Sequence, residues 1–416
     1  MQTRILYISY DGLTDPLGQS QVVPYLLGLA QKKYRFAILS TEKKSAFKKN
    51  ESKVIRQLSQ GHIHWDHIKY TKRPAVLSTV IDVFRLRRKA VLLYKKYSFS
   101  IVHCRSYIAA FAGLYLKRKY GIRFIFDLRG FYPDERVDGA IWNKNRFPYN
   151  LVYKFLKKKE HIFIKNADYV ISLTCEGKKI IQEWNKGKIC PDIEVIPCCA
   201  DPCLFSPINV NPELREQLMQ RLSISCDDFV LCYLGSTGTW YMMDEMLSFF
   251  ERLHIRKSNA RFLVITRDRD EDIRRMFANF SFPPDRIVIV SAEREEIPGL
   301  LSLCNIAVLF IKPAFSKKAS SPTKFAEVLF MGKPVVCNSG VGDIDYYLEK
   351  NNVGLLIREF STEEYEKALD KIDIACNVSP DYIRSVAEEY FSLDRGVDLY
   401  DSVYRKLIEN RTFTEN

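Results

Sequence analysis

A chain of 416 residues is too long for one core of ordinary size and suits two domains of about 150 to 200 residues each. Hydrophobic residues make up 47% and charged residues 27%, as in soluble globular proteins, and the longest apolar run, Ile101 to Leu116, is interrupted by His103 and Arg105, which excludes an integral membrane protein. The net charge of +13 is unevenly held: residues 1–195 carry 37 Lys+Arg against 16 Asp+Glu, or +21, and residues 196–416 carry 26 against 34, or −8.

A basic half joined to an acidic one implies an anionic partner for the first half alone, either a membrane leaflet or a nucleic acid. The eleven cysteines form no C-x-x-C pair and no zinc spacing with histidine, and their odd number argues against a secreted disulfide framework, so a reduced, cytosolic compartment is expected. Met1-Gln2-Thr3-Arg4 runs directly into a strand pattern, so no signal peptide is expected.

In chain order, Ile5 to Tyr10 reads as a buried strand, Asp11 to Gln21 as a glycine-bearing loop, Val22 to Gln31 as a helix and Phe36 to Ser40 as a second strand, together a β-loop-α-β unit of a parallel sheet. His62, His64 and His67 alternate beside Trp65 without a carboxylate pattern that would make a metal site. Residues 80–97 and 149–165 read as helices with an apolar side (Val80, Val83 and Phe84; Val152, Phe155 and Leu156) and a basic stripe (Arg85, Arg88, Lys89, Lys95 and Lys96; Lys154, Lys157, Lys158 and Lys165). The stripes suit either solvated faces over a sheet or contact with an anionic bilayer, where each cation adds on the order of 1 kcal/mol. Strands follow at Ser100 to His103, Phe124 to Asp127 and Tyr169 to Leu173. The proline-bearing connection Val195 to Pro207 coincides with the change in charge sign and marks the domain boundary.

The second half repeats the rhythm with strands at Phe229 to Leu234, Phe262 to Thr266, Ile287 to Val290 and Ile306 to Phe310, helices at Met243 to Ile255, 270–279 and 296–303, and the loop Gly235 to Tyr241 after the first strand. Ser321-Pro322 can supply the N-cap and first position of a helix that Gly332 ends, before a strand from Pro334 to Cys337. At this helix start Thr323, Lys324 and Glu327 share a polar face. A helix dipole, an ammonium and a carboxylate one turn on suit a diphosphate and a ribose. An i, i+3 Lys324 to Glu327 ion pair is the plain alternative. These elements predict two doubly wound Rossmann-like α/β domains facing a cleft, at 1–195 and 196–380, with a helical segment at 381–416 that crosses back onto the first domain.

In this order Tyr10-Asp11-Gly12 with Asp15 to Val22, Phe126 to Phe131, Val195-Ile196-Pro197, Leu234-Gly235-Ser236, and Ser321 to Glu327 with Gly332 to Val336 resemble the GT-B glycosyltransferases of family 4 over nearly the whole chain. The resemblance implies a retaining transferase, hexosyltransferase-type, that moves a sugar from a nucleotide sugar, UDP being the commonest carrier, held by the second domain, to a glycan or lipid-linked acceptor held by the first, with no metal or other cofactor. Glu327 matches the glutamate that binds the nucleotide ribose. The first glutamate of the E-x7-E pattern is replaced by Ala319, and the cations after the first strand of the second domain are missing. Lys324 and Arg267, with Gly235, Ser236, Ser321 and Thr323, then take the donor phosphates, and Gly18 lets backbone approach them. His103, Arg129 and Lys324 are the candidate catalytic groups, and Asp15, Gln19, Arg105, Asp127 and Glu135 line the acceptor side. The implied setting is the cytoplasmic face of the inner membrane, reached through the basic helices. A sugar-nucleotide epimerase of the same fold is the alternative enzyme. A nucleic-acid-binding protein is the alternative of another class, disfavoured because the basic helices lack stacking aromatics.

Overall fold

The computed structural model describes residues 3–32, 34–74, 76–187, 190–277 and 280–412, and divides them into two compact units. Unit 1 comprises residues 1–197, 318–320 and 393–416, and unit 2 comprises residues 198–317 and 321–392.

Unit 1 holds seven strands: β1 (Arg4–Ser9), β2 (Arg35–Glu42), β3 (His64–Lys69), β4 (Ile101–Arg105), β5 (Arg123–Asp127), β6 (Tyr169–Ser172) and β7 (Asp192–Val195). All pair in parallel in the order β3-β2-β1-β4-β5-β6-β7. Their apolar runs, such as Ile5-Leu6-Tyr7-Ile8 and Phe124-Ile125-Phe126, are fully covered by helices on both faces, the usual state of a parallel sheet. The order reverses between β1 and β4, so the loops leaving those two strands flank the crevice where open sheets bind ligands.

Unit 2 repeats the plan with β8 (Phe229–Leu234), β9 (Ala260–Ile265), β10 (Ile287–Val290), β11 (Ile306–Leu309), β12 (Val335–Asn338) and β13 (Gly354–Ile357), in the parallel order β10-β9-β8-β11-β12-β13. Here the reversal lies between β8 and β11. The helix Thr323–Phe330 joins β11 to β12, with Phe325, Val328 and Leu329 in the core.

Several expectations are corrected. The terminal segment is two helices, and only the second, Leu393–Thr412, belongs to unit 1. The first, Pro380–Phe391, stays in unit 2 because Ile383, Val386, Ala387 and Phe391 are buried in that core. Val80, Phe84 and Phe155, expected to face the sheet, are 44%, 55% and 51% exposed, since Leu86, Ala90 and Leu156 fill the buried sides of their helices. Residues 174–177, which follow β6, cap and begin the helix Cys175–Trp184, with Thr174 Oγ accepting from Gly177 N–H at 2.9 Å. His64 and His67 take part in aromatic packing on Tyr97 and Phe47, and among the described residues no metal-binding cluster of His, Cys, Asp or Glu occurs.

Candidate functional site

In unit 2 the loop after β8 carries the geometry. Gly235 has φ +150°, and a Cβ there would lie 2.9 Å from Lys324 Cε and 3.0 Å from its Nζ. Lys324 therefore lies directly over Gly235, whose φ favours glycine. Lys324 Nζ donates to the Tyr241 hydroxyl at 2.6 Å. Tyr233 donates to Ser236 O, while Thr237 donates to Asp268 through its amide and, at 2.9 Å, its hydroxyl, so the loop is pinned from both sides. Beyond it Trp240 is capped by Lys317, whose Nζ stands 3.7 Å from the ring centroid.

The helix start differs in detail from the sequence reading. Pro322 is its N-cap, and Ser321 Oγ instead accepts from Cys198 N–H at 3.1 Å. Lys324 and Glu327 do not pair with each other. Glu327, 3% exposed, has Oε1 2.7 Å from Arg294 Nη1, an arginine that also rests on the Phe205 ring. Arg267 is not gathered with them: its guanidinium bonds Glu293 at 2.6 Å and Ala292 O at 3.3 Å. The result is one ammonium over a glycine turn at a helix N-terminus, and one carboxylate oriented by a guanidinium a turn further on. Such a set can hold a diphosphate and a diol. Arg294 carries no motif and was invisible in the sequence, whereas Lys312 and Lys317 follow β11 and were within reach of the switch-point rule.

In unit 1, β4 and β5 end on a buried polar cluster. His103 Nδ1 is 2.7 Å from the Tyr404 hydroxyl and its Nε2 is 3.5 Å from Asp127 Oδ2, beyond ordinary hydrogen-bond length. Tyr400 donates to the same Asp127 oxygen at 3.1 Å. Burial lowers the His103 pKa below its ordinary value despite Asp127, so the imidazole is neutral. Burial also pushes the Asp127 carboxyl up, but Arg129, His103 and Arg105 outweigh it and hold the group below its ordinary range. Arg129 adopts φ +58°, with Nη1 3.9 Å from Asp127 Oδ1, and Arg105 Nε reaches Asp11 at 3.3 Å.

His103 is therefore enclosed beneath the Leu393–Thr412 helix, at 1% exposure, and does not reach an open surface of unit 1. Asp15 is held by Lys43 at 2.8 Å, Gln19 Nε2 donates to Thr14 O at 3.1 Å, and Glu135 is half-buried on the helix Tyr132–Asp138. Gly18 serves packing: its Cβ would stand 2.1 Å from Gly12 O and 2.6 Å from Leu13 Cα, so its bare face meets the loop rather than a ligand. Ala319, also in unit 1, is fully buried and lies 3.1 Å from the Cβ position of Gly177, where a glutamate has no room.

Residues 20–203 match the family model described as Glycosyltransferase Family 4. No curated protein gives a match. Among solved structures, a glycosyltransferase from Rickettsia africae ESF-5 is 16% identical with a TM-score of 0.72, covering 98% of this chain and 99% of its own. Sucrose-phosphate synthase from Thermosynechococcus elongatus is 14% identical with a TM-score of 0.72, covering 98% and 100%. Anabaena HepE, solved with UDP and glucose, is 14% identical with a TM-score of 0.67, covering 97% and 99%. At these identities the likeness establishes the fold, GT-B.

Proposed function

From the premise that this chain is a glycosyltransferase of GT-B fold, matching family 4 over residues 20–203, we propose that it transfers a sugar with retention from a UDP-sugar to a lipid-linked or polysaccharide acceptor. The observation that carries this reading is Lys324 seated over Gly235 at the start of the Thr323–Phe330 helix, with the Glu327 and Arg294 pair one turn on. The ammonium and the helix dipole balance the charge that grows on the departing diphosphate, and Glu327 accepts the ribose hydroxyls. UDP is chosen because HepE, of the same fold, was solved with UDP and glucose. No metal is needed when fixed cations supply the counter-charge, and the departing phosphate itself takes the acceptor proton. Arg129, Arg105 and Asp127 orient the acceptor from unit 1. His103 acts behind them as a neutral positioning group.

The acceptor is met at the cytoplasmic face of a membrane. No helix among the described residues is long and apolar enough to cross one. The helices Leu77–Tyr97, Ser106–Tyr120 and Tyr149–Asn166 pack side by side in unit 1. They expose Leu77, Phe84, Leu151 and Phe155 among cations, with Arg87 resting on Phe84 and Lys159 on Phe155. The exposed Phe84 and Phe155 correct the expectation that these helices lack surface aromatics, and the aliphatic Leu77 and Leu151 beside them are what favours an anionic lipid surface over a nucleic acid.

The test is a thermal-shift panel of UDP, GDP, ADP and their glucose conjugates. Uridine nucleotides should give the largest shift, about 2.7 kcal/mol at a hundred times the dissociation constant, and Lys324→Ala should abolish it. Equal shifts for parent and Lys324→Ala would remove the assigned donor site.

A further inference from the structure

Glu42, the last residue of β2, is 2% exposed. Its carboxylate accepts from Leu13 N–H at 2.7 Å, from Thr14 N–H at 3.2 Å, from the Ser40 hydroxyl at 2.6 Å and from the Thr14 hydroxyl. Trp65 Nε1–H in turn donates to Ser40 Oγ at 2.8 Å and fixes that hydroxyl. No cation among the described residues pairs with Glu42, and the adjacent Lys43 is engaged by Asp15. A buried carboxylate without a counter-cation is costly unless donors surround it, and here four do.

The same oxygens shape the loop after β1. A Cβ on Gly12 would lie 2.8 Å from Glu42 Oε2 and 3.1 Å from Thr41 O, so the loop closes on the carboxylate only with glycine there. The Thr14 carbonyl is occupied as well, by Gln19 Nε2 at 3.1 Å and Asn50 Nδ2 at 2.9 Å. Successive amides converging on one anion form a nest, the arrangement that elsewhere binds phosphate. In this chain the nest is already filled from within.

We propose that Glu42 is a positioning residue for the proposed transfer: it occupies the amide nest of the Asp11–Asp15 loop as an internal anion. The loop is thereby closed to phosphate. Its outward acceptor is the Asp11 carboxylate, held at one oxygen by Arg105 and 41% exposed, so the group it receives is the hydroxyl of a saccharide. This rests on the reading that unit 1 takes part in sugar transfer.

Glu42→Ala empties the nest, and formate supplies a carboxylate of the right size. Melting temperature and UDP-glucose turnover are followed for parent, Glu42→Ala and Glu42→Gln as formate replaces chloride at constant ionic strength. Glu42→Ala should melt lower than parent and be restored by formate, which leaves the parent unchanged. Its turnover should fall about 10- to 100-fold, the usual effect of a loop displaced by about an ångström, with KM for UDP-glucose within about twofold because unit 2 holds the donor. Formate should recover that turnover. Glu42→Gln, whose amide fills the space and sets an NH2 donor against either the Leu13 or the Thr14 N–H group, should lose turnover and gain nothing from formate; it carries the turnover arm if the alanine variant does not fold. Formate acting alike on parent and Glu42→Ala, or parental turnover in Glu42→Gln, overturns the proposal. A parent that neither binds nor turns over UDP-glucose counts against the donor assignment instead, and formate-dependent melting then still decides whether the nest is anionic.

Discussion

Replacing Glu327 by alanine separates a ligand site from a structural pair, because the structure gives this residue both tasks. Its carboxylate is 5% exposed and bonded at 2.7 Å to Arg294, whose side chain keeps 28% of its surface in water. A hydrogen bond to a charged group contributes about 1.5–3 kcal/mol, and the remaining hydration of Arg294 favours the lower half of that range. For a unit of this size about 1 kcal/mol moves the melting point by about 2–4 °C, so Glu327→Ala should melt roughly 3–9 °C below parent. Arg294→Ala should melt at least as low, because it leaves a buried carboxylate without its cation, and the double variant should lose less than the two singles summed, because both remove the same contact. Differential scanning calorimetry with and without UDP reads the two tasks apart. Glu327→Ala loses the UDP-induced shift, whereas Arg294→Ala keeps part of it, since the carboxylate remains with a poorer orientation. An unchanged melting point in Glu327→Ala, or strictly additive losses in the double variant, would refute the coupling.

Two further outcomes follow from unit 1. Its pH dependence is set by His103, which the fold keeps neutral below the ordinary imidazole value of 6.5. The unfolded chain takes up a proton there that the folded chain refuses, so stability should fall as pH drops through 6.5, while Asp127, held below its ordinary 3.8, adds its loss only in stronger acid. Urea midpoints against pH should flatten in that first window for His103→Gln, and parallel curves for parent and variant would contradict the assignment. On the outer helices, Phe84→Ser with Phe155→Ser should weaken sedimentation with anionic vesicles by about tenfold or more, since each buried aromatic contributes about 1.5–3 kcal/mol. Retained binding would shift the contact elsewhere.

Much of the sheet architecture was legible, because a parallel strand buried on both faces writes itself as an apolar run. Phe229–Leu234 and Ile287–Val290 were read to the residue for that reason. The helix carrying Lys324 and Glu327 was equally readable from Pro322 and Gly332, yet the partners of those side chains were not. Arg294 and Tyr241 arrive from other strands' loops, and no local pattern announces an ion pair over 33 residues. His103 shows the same limit: its position past a strand is local information, whereas Tyr400 and Tyr404, which enclose it, lie some 300 residues later. Glu42 offered a signal that went unused, an acid closing the apolar run Phe36-Ala37-Ile38-Leu39, where a charge needs donors from a loop.

The Leu393–Thr412 helix, with Val397, Tyr400, Val403 and Tyr404 inside unit 1, also imposes an order on biosynthesis. As the chain leaves the ribosome, the first-made lobe lacks its lid until unit 2 has been translated, so unit 2 is free to mature first. Sequence separation this long slows closure, and the nascent lobe depends for its completion on a helix that follows the whole of unit 2 in the chain.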